Sequence, residues 1–216
     1  GSIMDSHLLR FQEDKKFCFI DFETENLCLN FRGNRPWQVA LLECTGSNKI
    51  NEHDLIIKWE RDINVSEGAA RITRFSMDKY DELKIDYKEV FSTMERCLED
   101  CDYIVGHNIL GFDAPLIAEY YKMMGKDATH LYNKFIDTFC LSKAFKLGLI
   151  SKPDGVSLIE WQYKLLSIRK RGLGGRLETM GRDFEIDHNY ELLHDALVDL
   201  ELNLKVWNQL KYKLDI

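Results

Sequence analysis

Three short β-rich apolar runs follow one another near the start of the chain, "KFCFIDFE" (residues 16–23), "WQVALLEC" (37–44) and "HDLIIKW" (53–59), and they restrict it to folds built around a sheet. The first two are parted by "NLCLNFRGNRP", whose Gly, Asn and Pro punctuate a turn, so the runs predict an antiparallel meander. Helical patterning then takes over. Ile85, Val90, Met94, Cys97, Leu98 and Cys101 recur at helical spacing, a brief buried strand "YIVG" follows, and a helix is expected from Asp113 to about Met124. "KFIDTFCLSKAF" adds a short strand that runs into a helix at Asp137-Thr138. In the last helix Leu193, Leu197, Leu200, Leu204, Trp207 and Leu214 form one apolar stripe. A meander followed by alternating helices and strands predicts an α/β layer fold, a mixed sheet with helices on its faces.

A chain of 216 residues, 45% of them hydrophobic, fits a single core. Gly1-Ser2 reads as a cloning remnant with Met4 as the native start, residues 1–15 as an N-terminal tail, and residues 16–216 as one domain. Thirty-six acidic against 29 basic residues leave a net charge of -7, which argues against a broad electropositive coat for nucleic acid. It does not exclude a nuclease whose metal ions supply positive charge locally. No apolar run approaches the ~20 residues of a membrane span and no signal peptide is visible, so a cytoplasmic location without membrane contact is expected. The six cysteines mostly sit in apolar segments and read as buried free thiols. "CLEDCDYIVGH" hints at zinc through Cys97, Cys101 and His107, but a fourth ligand is not apparent.

Asp21 and Glu23 stand two apart at the end of the first strand, so their side chains point the same way. Two carboxylates so placed repel, and the repulsion is relieved mainly by a divalent cation between them. Asp113 opens an apolar helix, where a lone carboxylate is ordinarily an N-cap. Asp199 lies among Leu197, Val198 and Leu200, and alone could be a solvated helix residue. Four such groups converging would make an all-oxygen site suited to Mg²⁺ or Mn²⁺, and two ions roughly 3.5–4 Å apart could clamp an in-line phosphoryl displacement. His194 precedes Asp199 by five residues, about 140° apart on an ideal helix, so it is expected before the helix with Asp195 as a possible cap. Imidazole titrates nearest neutrality and suits a general base towards water.

These residues resemble the DEDDh family of 3′–5′ exonucleases, which includes the proofreading subunit of bacterial replicative polymerases and RNase T. Asp21-Phe22-Glu23-Thr24 matches the first family motif, Gly106-His107-Asn108 with Phe112-Asp113 the second, and His194 with Asp199 the third. "VSEGAARITRFSMDKYDEL" is similar to the family's segment between the third strand and the next long helix, so the resemblance covers nearly the whole chain. It implies an RNase H-like exonuclease fold with a five-stranded mixed sheet and release of nucleoside 5′-monophosphates. It further implies that Asp21, Glu23 and Asp199 hold one of two Mg²⁺ or Mn²⁺ ions, that Asp21 bridges to the second, that Asp113 supports it, and that His194 activates water. By the same likeness Thr24 and Leu27 would meet the terminal 3′-OH and last base, with Asn108 beside them as part of the substrate site. The family's Thr-Thr-Gly-Leu pattern is replaced here by Thr24-Glu25-Asn26-Leu27. Asn26 is expected to adopt the positive φ that Gly would, and Glu25 adds charge near the scissile end.

Residues 148–175 are the least regular part, expected as a mobile insertion holding a short helix. Arg169, Lys170, Arg171 and Arg176 could grip a strand's backbone, with Trp161, Tyr163 or Phe31 as stacking faces; a solvated basic loop beside core aromatics is the bland alternative. The expected partner is a single-stranded 3′ end, DNA favoured over RNA, together with a polymerase or other replication or repair protein. The alternatives are an RNA-trimming enzyme and a non-catalytic nucleic-acid-binding module.

Overall fold

The computed structural model describes residues 7–28 and 33–216. Its strands are β1 (Lys16–Thr24), β2 (Pro36–Thr45), β3 (Asn48–Lys58), β4 (Ile85–Asp86), β5 (Tyr103–Gly106) and β6 (Phe135–Asp137). The helices are α1 (Glu67–Thr73), α2 (Met77–Leu83), α3 (Tyr87–Asp100), α4 (Ala114–Met123), α5 (Thr138–Lys146), α6 (Leu158–Leu166), α7 (Leu177–Asp183) and α8 (Ala196–Leu210).

One sheet in the order β4-β3-β2-β1-β5-β6 runs through the molecule. The meander is as expected, with β1–β2 and β2–β3 antiparallel, whereas β5 and β6 are parallel to β1. The sheet has six strands rather than the five the resemblance implies. The sixth, β4, is only Ile85 and Asp86, which pair with Ile57 and Lys58; Asp86 also caps α3, so Ile85 belongs to the sheet and not to the helix. β1 lies in the middle, and Phe17, Cys18, Phe19, Ile20 and Phe22 are all buried. A strand covered on both faces reads as a continuous apolar run rather than an alternation, which is why its sequence stands out.

The faces divide the work. Register places Asp21 opposite Ala40 and Glu23 opposite Gln38, and α8 packs over this side with Trp207 against Phe17. α3 covers the other side, burying Val90, Met94, Cys97 and Leu98. The stripe of α8 is wider than the sequence suggests. Leu200 and Trp207 join the main core, while Leu202 and Val206 pack with Met180 of α7, and Leu214 is buried beyond the helix end. Leu8 and Leu9 are also buried, and the Leu9 N–H donates to the Ile216 carbonyl (2.8 Å), so this part of the expected tail is packed against the domain.

Residues 148–175 are not a mobile insertion throughout. α6 buries Trp161, Gln162 and Leu165 against α5 and β6. Gln162 Oε1 accepts from the Asp137 N–H (2.6 Å) and its Nε2 donates to the Phe135 carbonyl (2.9 Å), so one side chain completes the outer edge of β6. Among the described residues no helix is long and apolar enough to cross a membrane.

Candidate active site

The site begins where β1 outruns β5. Parallel pairing stops at Phe19–Val105, leaving the edge of residues 20–24 open towards β5. Gly106 ends β5 so close to β1 that a Cβ there would meet the Ile20 carbonyl at 3.2 Å and the Ile109 Cβ at 2.9 Å. The chain then leaves through Asn108 in the left-handed region (φ 63°) and a wide helical turn, Ile109–Asp113, before α4. Asp113 does not cap α4. Its Oδ1 instead accepts from the Phe22 N–H (3.1 Å) on the free edge of β1. The turn is held by Asp137, a fully buried carboxylate that accepts from the N–H groups of Asn108 (2.9 Å), Leu110 (3.1 Å), Phe139 (2.8 Å) and Cys140 (3.3 Å). Gly111 lies under the Asn108 side chain, whose Oδ1 would be 2.5 Å from any added Cβ.

A register shift between Glu23 and Thr24 bends the end of β1, a device common beside functional sites because it re-aims side chains. From α8, Asp199 comes over the same face, and ligand oxygens of Asp21, Glu23 and Asp199 all lie within 4.8 Å of one another. Asp113 stands outside that trio yet near enough to act on Asp21 and Glu23 electrostatically. Burial first, then the neighbouring Glu23, Asp113, Asp199 and Asp195, push the Asp21 carboxyl well above the usual carboxylate range. Burial and Asp199, Asp113 and Asp195 do the same to Glu23. Asp199 is pushed up to about 7 by burial, against the lowering pull of the His194 N–H, with Asp195 adding repulsion. Among the described residues no Lys or Arg forms an ion pair with any of the four acids. Mutual repulsion without a protein counter-charge, in an all-oxygen donor set, fits a hard divalent cation.

His194 precedes α8, exposed and in the left-handed region (φ 74°), and its N–H donates to Asp199 Oδ1 (2.8 Å). Asp195 is the cap, accepting from the Val198 N–H (3.3 Å). Positive φ in a non-glycine residue marks a constrained backbone, and here it lets one carboxylate hold the peptide of the residue five positions before it. Arg74, itself left-handed (φ 59°) at the end of α1, donates to the carbonyls of Leu193 (3.4 Å) and Glu191 and so braces this loop. A cavity of about 330 Å³ opens beside His194 and Asp199, bordered by His107, Asn108, Phe139 and Arg176.

The other expected substrate residues fall unevenly. Thr24 is buried (3% exposed) and its hydroxyl donates to the Asn26 carbonyl (2.5 Å), so that proton is committed within the loop. Asn26 does not take a positive φ; Asn34 fixes it instead, accepting from its N–H (2.9 Å) and donating to its carbonyl (3.0 Å). Leu27 is exposed. Glu25 is buried and paired with the partly exposed Arg61 rather than with the acidic centre. Arg169, Lys170 and Arg171 are exposed and do not line the cavity, whereas Arg176 does. Trp161 is core and offers no stacking face, Tyr163 is exposed, and Phe31 lies outside the described residues. Phe139 is the half-buried aromatic at the cavity, and nothing in the sequence but its place after Asp137-Thr138 marks it.

His107 is not a zinc ligand with Cys97 and Cys101. Burial pushes it down to about 4, against the raising effect of Gly175, so the ring is neutral near pH 7. The Gly175 carbonyl can only accept, so Nε2 carries the proton (2.9 Å) and Nδ1 accepts from the Thr138 hydroxyl (2.9 Å). Both ring nitrogens are therefore used, Nε2 in holding Gly175 just before Arg176 and Nδ1 in holding the ring to α5. All six cysteines are free, five of them buried and Cys28 exposed.

Fold and site together define an RNase H-like α/β domain with a cation-seeking acidic centre. A family profile described as "Exonuclease" (RNase_T) matches residues 18–207, and the chain belongs to that exonuclease family, of the DEDDh type its motifs resemble. No match was found among curated proteins. Among solved structures the chain is similar to E. coli exonuclease I in complex with a dT13 oligonucleotide (19% identity, TM-score 0.69, 92% of this chain and 41% of that one). It is similar also to the zinc-bound form of the E. coli exonuclease I–ssDNA complex (18%, 0.71, 92% and 41%) and to an ExoI/SSB-Ct complex (18%, 0.70, 93% and 42%). At these identities the likeness shows the fold, and the chain spans about two fifths of the length of those proteins.

Proposed function

We propose that the chain is a metal-dependent 3′–5′ exonuclease that removes nucleoside 5′-monophosphates from single-stranded or frayed DNA. The observation that carries this reading is the convergence of Asp21, Glu23 and Asp199 within 4.8 Å, with Asp113 beside them and His194 tied to Asp199. Asp21, Glu23 and Asp199 would hold Mg²⁺ or Mn²⁺, with Asp113 contributing to a second position; such ions supply charge neutralisation at the attacking and leaving oxygens of an in-line displacement. Asp199 also fixes the backbone of His194, whose exposed ring accepts a proton from the attacking water. Phe139 offers a face on which a base can stack, Arg176 a charge for a phosphate, and Leu27 an exposed apolar edge for the terminal base.

DNA is favoured because the similar exonuclease I structures carry dT13 and ssDNA. The SSB-Ct complex of that protein likewise supports a partner from the replication or repair machinery here. Matched 3′-tailed DNA and RNA, single- and double-stranded, incubated with Mg²⁺, Mn²⁺ or EDTA, test the reading through product analysis. Metal-dependent mononucleotide release from single-stranded DNA is expected. Faster release from RNA would make the enzyme an RNA trimmer, and binding without release would make it a non-catalytic module.

A further inference from the structure

On the face of the sheet covered by α3, away from the acidic centre, a second group of ligand-type side chains comes together. Glu43 of β2, His53 of β3 and Cys97 of α3 present an oxygen, a nitrogen and a sulfur that all lie within 4.8 Å of one another. Glu43 and Cys97 border a cavity of about 220 Å³ that also meets Arg96, Cys18, Cys44 and Cys101. The group already gathers around a cation. The Arg96 guanidinium lies 3.0 and 3.4 Å from the Glu43 oxygens, 3.5 Å from His53 Nε2 and 3.5 Å from Cys97 Sγ. Arg96 is 50% exposed, so its side chain can swing into solvent without opening the core.

We propose that Glu43, His53 and Cys97 form a second metal site that takes a thiophilic divalent cation, Zn²⁺ by its donor set, in the place the Arg96 guanidinium fills. One nitrogen, one thiolate and one carboxylate are a zinc set, unlike the oxygen-only centre on the opposite face. Bonds of about 2.0–2.3 Å in a tetrahedron need donors roughly 3.3–3.8 Å apart, which adjustments of about 1 Å supply. Binding releases the Cys97 thiol proton to solvent, frees Glu43 from Arg96, and leaves the fourth position to water from the cavity. The ion would link β2, β3 and α3 on the face away from the acidic centre, with its fourth position open.

Cobalt(II) tests this, because thiolate ligation gives a sulfur-to-cobalt band in the near ultraviolet that an all-oxygen site cannot produce. The 216-residue chain and its Asp21→Ala/Asp199→Ala variant should both show the band at one equivalent, and Zn²⁺ should abolish it. Cys97→Ser should lose the band while keeping Mg²⁺-dependent cleavage, and His53→Gln, at a half-buried surface position, should weaken cobalt binding by more than about tenfold. Circular dichroism verifies that each variant is folded; should Cys97→Ser fail to fold, His53→Gln decides alone. Absence of the band from the wild type, or its persistence at full strength in either folded variant, overturns the site.

Discussion

Glu23 and Glu25 stand two residues apart at the end of β1, and the protein treats them in opposite ways. Glu25 is 3% exposed, and burial alone would raise it; instead Arg61 (2.6 and 2.8 Å) and the N–H groups of Asn64 (2.6 Å) and Arg35 (3.0 Å) hold it below the usual carboxylate range. Glu23 has no such donors among the described residues, faces Asp21, Asp113 and Asp199, and is pushed well above that range by burial and the neighbouring acids. The difference separates a charge the fold satisfies by itself from one it leaves without a counter-charge among the described residues. Glu25 fastens the loop after β1 to residues 61–66, while Glu23 and its neighbours hold repulsion that a cation removes.

The largest expected effect breaks the second region. Asp21→Ala should reduce cleavage to below about a thousandth, because it removes the carboxylate at the centre of the acidic group. Asp21→Asn should be equally inactive but melt at a higher temperature than wild type in EDTA, since it removes repulsion; an unchanged or lower melting temperature would contradict the contrast with Glu25. Next, His194→Ala should lower turnover by about 10²-fold or more while Mn²⁺ binding, followed by calorimetry, persists. Glu25→Gln addresses the first region and should destabilise the protein by about 2–3 kcal/mol in denaturant titrations, less than a fully buried pair because Arg61 is 44% exposed.

The two regions also pull stability in opposite directions with pH. In EDTA the folded protein keeps a proton on Asp199 up to about 7 that the unfolded chain releases near 4. This contribution is fully present below about 4 and is lost as pH rises through 7, so metal-free protein should gain stability on acidification from pH 8 to about 5. Glu25 contributes above the ordinary carboxylate range and loses its contribution only as pH falls below it. Saturating Mg²⁺ should flatten the first dependence and leave the second. The smallest effect concerns charge outside the acidic centre: an Arg169/Lys170/Arg171 triple Ala variant should show a shallower salt dependence of activity, and an unchanged slope would mean that these three side chains do not touch the strand.

The meander and α8 are legible because each carries a long apolar signature, the short strands β5 and β6 are legible as strands but not as a parallel pair, and Asp21, Glu23 and Asp199 stand out because they interrupt apolar runs. α1 and α2, seven residues each, leave little trace in the sequence, although Ser66 and Ser76 cap them by accepting from Ala69 and Lys79 N–H groups. Segments that short show too little periodicity to stand out. Asp137 reads as a helix start, which it is, but its four backbone bonds reach back to the Asn108 turn through a contact no local pattern encodes. Arg74 and His194 share left-handed backbones that only the assembled loops impose.

Gln162 gives residues 148–175 an unexpected reach. By filling the hydrogen-bonding edge of β6 it denies that edge to a strand from another molecule, so the sheet is closed to growth on this side. The same amide steadies Asp137, and through it the turn that aims Asp113. Drift in the surface of this segment can pass unnoticed by the chemistry, but a change at position 162 is transmitted along β6 to the acidic centre.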